Sequence, residues 1–264
     1  MPLKFWKKDK PQKGKAEAGA EEPPKEKAKE EAKVESKEMA SDESVEEPKV
    51  EEKKVDAGSN ETEAVLSEIH AKLVDLGLTA PPTRGVFVKR VSSYPGGEKA
   101  FVADYRNEPY RAVTRVLADW LGFRVPELFE LEPLLQQVNL RLSSFKLNVQ
   151  AKDLTWLDKE LNLRKARLVL GDQEKVVRFK DARDFFKGVN ELIASKKLAF
   201  VELETWADDF AFYLAREPQW DKLATTDLVV VKADQTARGG ECGECGAPVG
   251  KYWSDCLKCG AVFG

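Results

Sequence analysis

The sequence has very few of the residues that carry enzyme chemistry. Its 264 residues include one histidine, His70, and four cysteines, which all lie near the C-terminal end. The motifs GxSxG, GxxxxGK[ST], HExxH and GxGxxG are absent. A lone histidine beside the apolar stripe of a helix is usually a surface or half-buried residue, and we expect the same of His70. The sequence therefore predicts a protein that is not an enzyme and shows no evident small-molecule substrate.

Long apolar runs and a strong net charge are also missing. There is no run of about 18 apolar residues, so a membrane-spanning helix is not expected. The first residues, MPLKFWKKDK, lack the apolar run of about 7–15 residues that a signal peptide needs. We therefore expect a cytoplasmic chain. The net charge of −3 and the isoelectric point near 5.6 provide no global attraction to nucleic acid or to acidic lipid.

The most specific feature present is a pair of CxxC motifs with ten residues between them, formed by Cys242, Cys245, Cys256 and Cys259. Two intervening residues allow both thiolates of a motif to bind one ion, and four thiolates suit a closed, structural Zn²⁺ site. Gly246 and Gly260 follow the motifs and can adopt the positive φ that turns backbone N–H groups toward sulfur. These cysteines are therefore the predicted metal ligands.

Disulfides, redox chemistry and iron binding are other possible uses of the four cysteines. Two disulfides would suit a secreted chain, which the N-terminal residues do not indicate. A redox role for one CxxC does not explain two motifs, and no βαβ pattern stands beside either of them. Iron would suit the same four sulfur atoms, and the sequence leaves both metals open.

The segment CGECGAPVGKYWSDCLKCGAVFG, residues 242–264, resembles the short zinc ribbons with rubredoxin-like knuckles that many bacterial and archaeal proteins carry at one end. Such ribbons usually have proline after the first cysteine of the second knuckle, where this chain has Leu257. The resemblance implies a small docking module with the four cysteines as its ligands. Tyr252, Trp253 and Phe263 either pack around the knuckles, which we favour, or form an apolar contact face.

Composition divides the chain into three parts: a disordered charged tail (1–58), an α+β domain (59–236) and the zinc ribbon (238–264). Thirty of the first 60 residues are charged, which is too many for a buried core. Residues 1–15 carry a net charge of +5 and include Phe5 and Trp6, a pattern that suits contact with an anionic membrane surface. They resemble the N-termini of some peripheral membrane GTPases, such as the signal recognition particle receptor, although no GTPase motif follows.

Hydrophobic periodicity predicts the elements of the middle domain. Helices are expected from Asn60 to Leu76, over about 107–121, within 126–145 with a break at Pro133, over Asp153–Leu161, and around Phe185–Ile193. Strands are expected at 85–91, 99–105, 164–170, 175–180, 198–205, 210–215 and 228–232, with a helical turn near 218–223. A hairpin followed by a helix thus occurs twice, at about 85–122 and 164–195, as in a duplicated ββα unit.

Two charged groups are candidates for binding or chemistry. Glu202, Glu204, Asp208 and Asp209 could hold a cation or act as acid and base, but we expect a solvated strand face beside an acidic turn. Residues 141–180 have a net charge of +5. Lys165 and Arg167 are expected to point outward from a hairpin, where they could lie along phosphates or simply form a charged face.

These patterns favour a non-enzymatic adaptor that docks to a protein partner through its zinc ribbon. One alternative is a nucleic-acid-associated factor that uses the basic 141–180 face. Another is a protein held at an anionic membrane surface by residues 1–15.

Overall fold

The computed structural model of the protein describes residues 57–234 and 239–263. Its helices in this part of the chain are α1 (Ala57–Asp75), α2 (Arg84–Val91), α3 (Gly97–Asn107), α4 (Pro109–Val116), α5 (Leu131–Leu142), α6 (Ala182–Ile193) and α7 (Trp220–Leu223). A π-helical turn, Leu117–Leu121, continues α4, and 3-10 turns lie at Pro81–Thr83, Ser143–Phe145 and Ala194–Lys196. The predicted tail and its membrane-binding tip lie outside the described residues.

The strands form antiparallel sheets. They are β1 (Phe123–Pro126), β2 (Gln150–Asp158), β3 (Leu163–Leu170), β4 (Gln173–Phe179), β5 (Leu198–Leu203), β6 (Asp209–Arg216), β7 (Val231–Lys232), β8 (Gly240–Glu241) and β9 (Pro248–Val249). One sheet has the order β1-β6-β5-β7, a second β2-β3-β4, and β8 pairs with β9. Helices beside antiparallel sheets confirm the predicted α+β class.

The four-stranded sheet separates two apolar cores. Successive side chains of a strand point to opposite faces, and on β5 Val201 and Leu203 join a core with α1 to α4, whereas Leu198 and Phe200 join a core with α5 and α6. The inner face of β2-β3-β4 closes the second core through Ala166 and other residues of β3 and β4. The central sheet is therefore covered on both faces.

The prediction for residues 85–105 is wrong, because both expected strands are helices. Arg84–Val91 and Gly97–Asn107 form α2 and α3, and Gly96, with φ of 84°, lies in the turn between them. Phe87 and Val91 are four residues apart and both are buried, so they lie on one helical face. Short apolar runs fit either period, and packing against α1 decides the outcome. The proposed duplication of a ββα unit is therefore also wrong.

A second wrong prediction concerns the helix at Asp153–Leu161, where the chain forms β2. Asp153 has φ of 55°, and the register with β3 shifts between Lys152 and Thr155. This bulge breaks the alternation of side chains that would have indicated a strand. Nearly all of β2 is exposed, so no buried face marks it in the sequence.

Other predicted elements are confirmed. The hairpin of β3 and β4, the strands β5 and β6, and the buried face of α6 lie where the periodicity places them. The first helix buries Leu66, Ile69 and Leu73 as expected, and Leu76, just after its end, is buried too. The expected break at Pro133 is wrong: Pro133 lies in the first turn of α5 and does not interrupt the helix, because a proline there removes no intrahelical hydrogen bond.

The contact between α6 and β4 depends on Gly188. A Cβ atom at this position would lie 2.0 Å from Cγ1 of Val177, a buried side chain that is stiff at χ1. We expect Gly188→Ala to lower the free energy of unfolding by about 1–3 kcal/mol, measured by denaturant titration. Gly85→Ala in α2 is the matched control, because its Cβ would meet nothing within 4 Å, and it should raise stability by up to about 1 kcal/mol. Equal effects at the two sites would contradict this packing.

Candidate metal centre and its attachment to the body

Residues 239–263, called the ribbon below, fold around two loops of the same design. In each, the N–H of the first cysteine, Cys242 or Cys256, donates to the carbonyl five residues later, over 2.8 Å in the first loop and 2.9 Å in the second. The N–H of Gly246 or Gly260 donates back to the carbonyl of that cysteine. Their φ values of 66° and 75° are positive, as the sequence predicts.

The four cysteine sulfurs lie within 4.8 Å of one another. The Sγ atoms of Cys242 and Cys259 are 3.7 Å apart, as are those of Cys245 and Cys256. A tetrahedral site with Zn–S bonds of about 2.3 Å places its sulfurs about 3.8 Å apart. The group therefore fits one tetrahedral ion, and because both short distances join one loop to the other, that ion would hold the two loops together.

The acidities of the thiols favour a cation at this point. Burial opposes ionisation of Cys256, but N–H groups of Cys259 and Lys258 outweigh it and lower the pKa of Cys256 to about 7. The Ala261 N–H favours the thiolate of Cys259, yet burial and the neighbouring sulfurs raise the pKa of Cys259 to about 12. Four adjacent sulfurs therefore do not all ionise without a positive ion between them.

Aromatic residues join the ribbon to the rest of the described chain, residues 57–234, called the body below. Trp253 is buried, and its indole N–H donates to the Val231 carbonyl over 3.1 Å. The Tyr252 ring stacks on Tyr110 with centroids 4.0 Å apart, and its carbonyl accepts from the Trp206 indole. The packing interpretation favoured above is confirmed for Trp253, and much of that packing is against the body.

A buried carboxylate forms the centre of this interface. The side chain of Glu204 has no solvent exposure and pairs with Lys232, which is 3% exposed, over 3.2 Å. It also accepts from the backbone N–H and the hydroxyl of Ser254, at 2.7 and 2.9 Å, and from the Trp206 N–H at 2.7 Å. Two of these donors belong to Ser254, two residues before the second CxxC motif, so the segment leading into the second cysteine loop also completes the environment of Glu204.

Further ion pairs extend the cluster around Glu204. Asp255 of the ribbon pairs with Lys232 of β7 and, over 2.7 Å, with Arg183 of α6. Arg183 in turn donates to Glu202 over 2.7 Å. We call these residues the interface ion cluster: Arg183, Glu202, Glu204, Lys232 and Asp255.

The electrostatics of the cluster follow from this burial. The lysine and the arginine hold the pKa of Asp255 below its ordinary value, although burial opposes them. Burial raises the pKa of Glu202 to about 7 despite its cationic neighbours. Three acids and two bases share the cluster, and the raised pKa of Glu202 leaves this acid partly protonated near pH 7.

No protein-family model, curated protein or solved structure matches this chain. The metal centre and the interface ion cluster are therefore interpreted from geometry alone.

The expectation of a solvated acidic face is wrong for Glu202 and Glu204. Both are buried, at 9% and 1% exposure, because β7 pairs with β5 on one side and the ribbon covers the end of the sheet. The structure does not bring Asp208 and Asp209 into the cluster: Asp208 is exposed, and Asp209 pairs with Arg124 over 3.0 Å. The lysine at the end of the apolar segment Leu228–Lys232 is the sequence feature that could have indicated a buried ion pair.

His70 is more buried than expected, with 5% exposure. Its Nε2 atom lies 3.2 Å from the Thr83 hydroxyl, and its ring is 6.0 Å from that of Phe87. Burial, helped by Arg84, lowers its pKa. Its contacts are those of a packing residue between α1 and the segment that follows it.

The basic 141–180 segment is partly neutralised by its own chain. Lys165 and Arg167 do project outward from β3, but Arg167 pairs with Asp153 and Glu174, and Lys175 pairs with Glu191. Lys152, Lys159 and Arg178 form no ion pair within the described residues. No helix in the part of the chain that the structure describes is long and apolar enough to cross a membrane.

The raised pKa of Glu202 predicts a loss of stability with rising pH. The folded chain holds a proton on this carboxyl up to about pH 7, whereas the unfolded chain releases it near its ordinary pKa of 4.5. Between pH 5.5 and 8 this group should therefore remove about 2 kcal/mol of the free energy of unfolding.

Denaturant titrations of the wild type and Glu202→Gln at both pH values measure this contribution. The contribution of His70 runs in the opposite direction, since its folded pKa is lowered, and it is common to both proteins. The wild type should lose about 2 kcal/mol more than the variant over this range. Parallel pH profiles would contradict the assignment.

Proposed function

We propose that this protein is a non-enzymatic adaptor that docks to a protein partner and uses a structural zinc ion to fix its C-terminal ribbon. All four sulfurs would be occupied in a tetrahedral site, which leaves no open position for a substrate. A reducing cytoplasm, where thiols remain available to a metal, is the compartment that suits this use of cysteine.

The observation that carries the docking proposal is a group of exposed apolar side chains on one hairpin. Leu154, Trp156, Leu157 and Leu161, called the β2 cluster below, are 47–59% exposed. They lie on β2, which has a partner strand on one edge only, and on the turn into β3. Exposed apolar side chains on one hairpin favour a protein interface, and tryptophan is enriched at interface hot spots.

The packing of the ribbon explains why the docking surface lies elsewhere. The large aromatic residues that a free ribbon would offer to a partner, Tyr252 and Trp253, contact the body instead. In this proposal the zinc ribbon is a structural closure of the body, and the β2 cluster is the contact surface.

The buried acids support a role without acid–base catalysis. Both oxygens of Glu204 already accept hydrogen bonds, from Trp206 and Ser254. Arg183 donates to Glu202 and forms an ion pair with Asp255. Acids that are buried and paired in this way are suited to stabilising an interface, and none of these three is free to meet a substrate.

Fewer observations favour binding to nucleic acid or to a membrane. The outward cations Lys152, Lys165 and Arg178 would suit the phosphates of a nucleic acid, and this is the second candidate. Contact with a membrane through residues 1–15 rests on sequence alone.

The docking proposal is tested with full-length protein used to capture partners from a native extract. Replacing Leu154 and Leu157 together by glutamine should lower capture of specific proteins about tenfold or more, since it removes apolar contact area. The matched control replaces Leu128 and Leu140, which are 77% and 63% exposed and lie outside the hairpin, and it should leave capture unchanged.

Each capture is repeated after nuclease treatment. Partners that survive nuclease and are lost only from the Leu154/Leu157 variant support the proposal. Partners that vanish with nuclease and bind all variants equally would contradict it and favour the nucleic-acid alternative.

A further inference from the structure

Arg164, on β3 at the inner edge of the hairpin, is a buried cation that has no counter-ion among the described residues. Its side chain is 5% exposed, and its guanidinium carbon lies 4.4 Å from the ring centre of Phe129, 4.8 Å from that of Phe179 and 5.5 Å from that of Trp156. Nη1 donates to the Phe129 carbonyl over 3.0 Å. The charged guanidinium of Arg164 is therefore surrounded mainly by aromatic rings.

Two donor atoms of this side chain remain unsatisfied. Nε and Nη2 of Arg164 are the buried side-chain polar atoms of the described chain that lack a hydrogen-bond partner. Each such donor costs about 1–3 kcal/mol when it is left unpaired. The Nε–H and one Nη2–H of an arginine point in the same direction, and together they form the fork that a carboxylate binds with both oxygens.

Trp156 is the aromatic neighbour of Arg164 that reaches the surface. Of the three rings around Arg164, Phe129 and Phe179 are buried, whereas Trp156 is 50% exposed and belongs to the β2 cluster. The indole N–H of Trp156 has no acceptor among the described residues. Trp156 therefore links Arg164 to the surface on which the other side chains of the β2 cluster are exposed.

We propose that Arg164 receives a carboxylate from an acidic, leucine-bearing peptide segment of a protein partner that docks on the β2 cluster. The inference rests on the proposed function, because the cluster is the same surface. The apolar side chains of the partner lie against Leu154 and Leu157, and its carboxylate takes the Nε/Nη2 fork.

The charge around the site favours an acidic partner. Arg164 has no counter-ion within the described residues, and Lys159, in the turn after β2, forms no ion pair there either. The apolar component distinguishes a peptide from a nucleic acid, since exposed leucines gain little from phosphate and sugar but much from apolar side chains.

Binding of a fluorescein-labelled acidic probe to the full-length protein, followed by anisotropy, tests this assignment. The probe is a short peptide in which leucine alternates with pairs of acidic residues; a second probe carries glutamine at the acidic positions, and a third is a labelled single-stranded oligonucleotide. The wild type should bind the acidic probe at least tenfold more tightly than the glutamine probe.

Variants of Arg164 distinguish recognition by the Nε/Nη2 fork from attraction by the positive charge alone. Arg164→Met should lower affinity for the acidic probe at least tenfold. Arg164→Lys should lower it by a similar factor, because lysine keeps the charge but not the fork. Arg167→Met is the matched control: it removes the same charge from the same strand on the opposite face and should change affinity less than twofold. Arg164→Met should leave the melting temperature unchanged or raise it, because it removes the unpaired donors.

Equal losses in the Arg164 and Arg167 variants, or full binding by Arg164→Lys, would overturn the assignment of the fork. Preferential binding of the oligonucleotide would overturn the choice of a peptide partner. Either result leaves the proposed function intact if extract capture still depends on Leu154 and Leu157, so the two failures are distinguishable.

Discussion

Burial of the Glu204 carboxylate is the constraint on which the attachment of the ribbon depends. A buried charge is tolerated only when hydrogen bonds and an opposite charge replace water. For Glu204 these come from three separate segments: the turn at Trp206, the strand residue Lys232, and Ser254 of the ribbon. Without the ribbon, Glu204 would keep Lys232 and the Trp206 N–H but lose both hydrogen bonds from Ser254. A segment as short as the ribbon would in turn need the proposed metal to fold.

The ribbon is consequently part of the folded core. Ribbons of this size resemble docking modules in sequence, but here Trp253 and Asp255 face the body. The four cysteine sulfurs, the interface ion cluster and the central sheet are joined through the ribbon. The surface that we propose for a partner is the β2–β3 hairpin, where apolar side chains are exposed and Arg164 has no counter-ion among the described residues.

Sequence reasoning succeeded where the determining interactions are local. The spacing of the CxxC motifs and the glycine after each one are sufficient to predict the grouping of the four sulfurs. The interface ion cluster was missed because its partners are far apart in sequence: Glu204 and Ser254 are separated by 50 residues. The helices α2 and α3 were mistaken for strands because a few apolar residues fit either period, and β2 was mistaken for a helix because its bulge and exposure hide the alternation.

Hydrogen exchange of backbone amides, measured on protein loaded with zinc and again after chelation, tests the coupling of ribbon and body most directly. Metal loss is verified by native mass spectrometry. Chelation should increase exchange in the ribbon and also in two strands of the body: β5, which directly precedes Glu204, and β7, which contains Lys232. The strands β3 and β4 should stay protected and serve as the internal control. Exchange that increases in the ribbon alone would show an independent module and contradict the account.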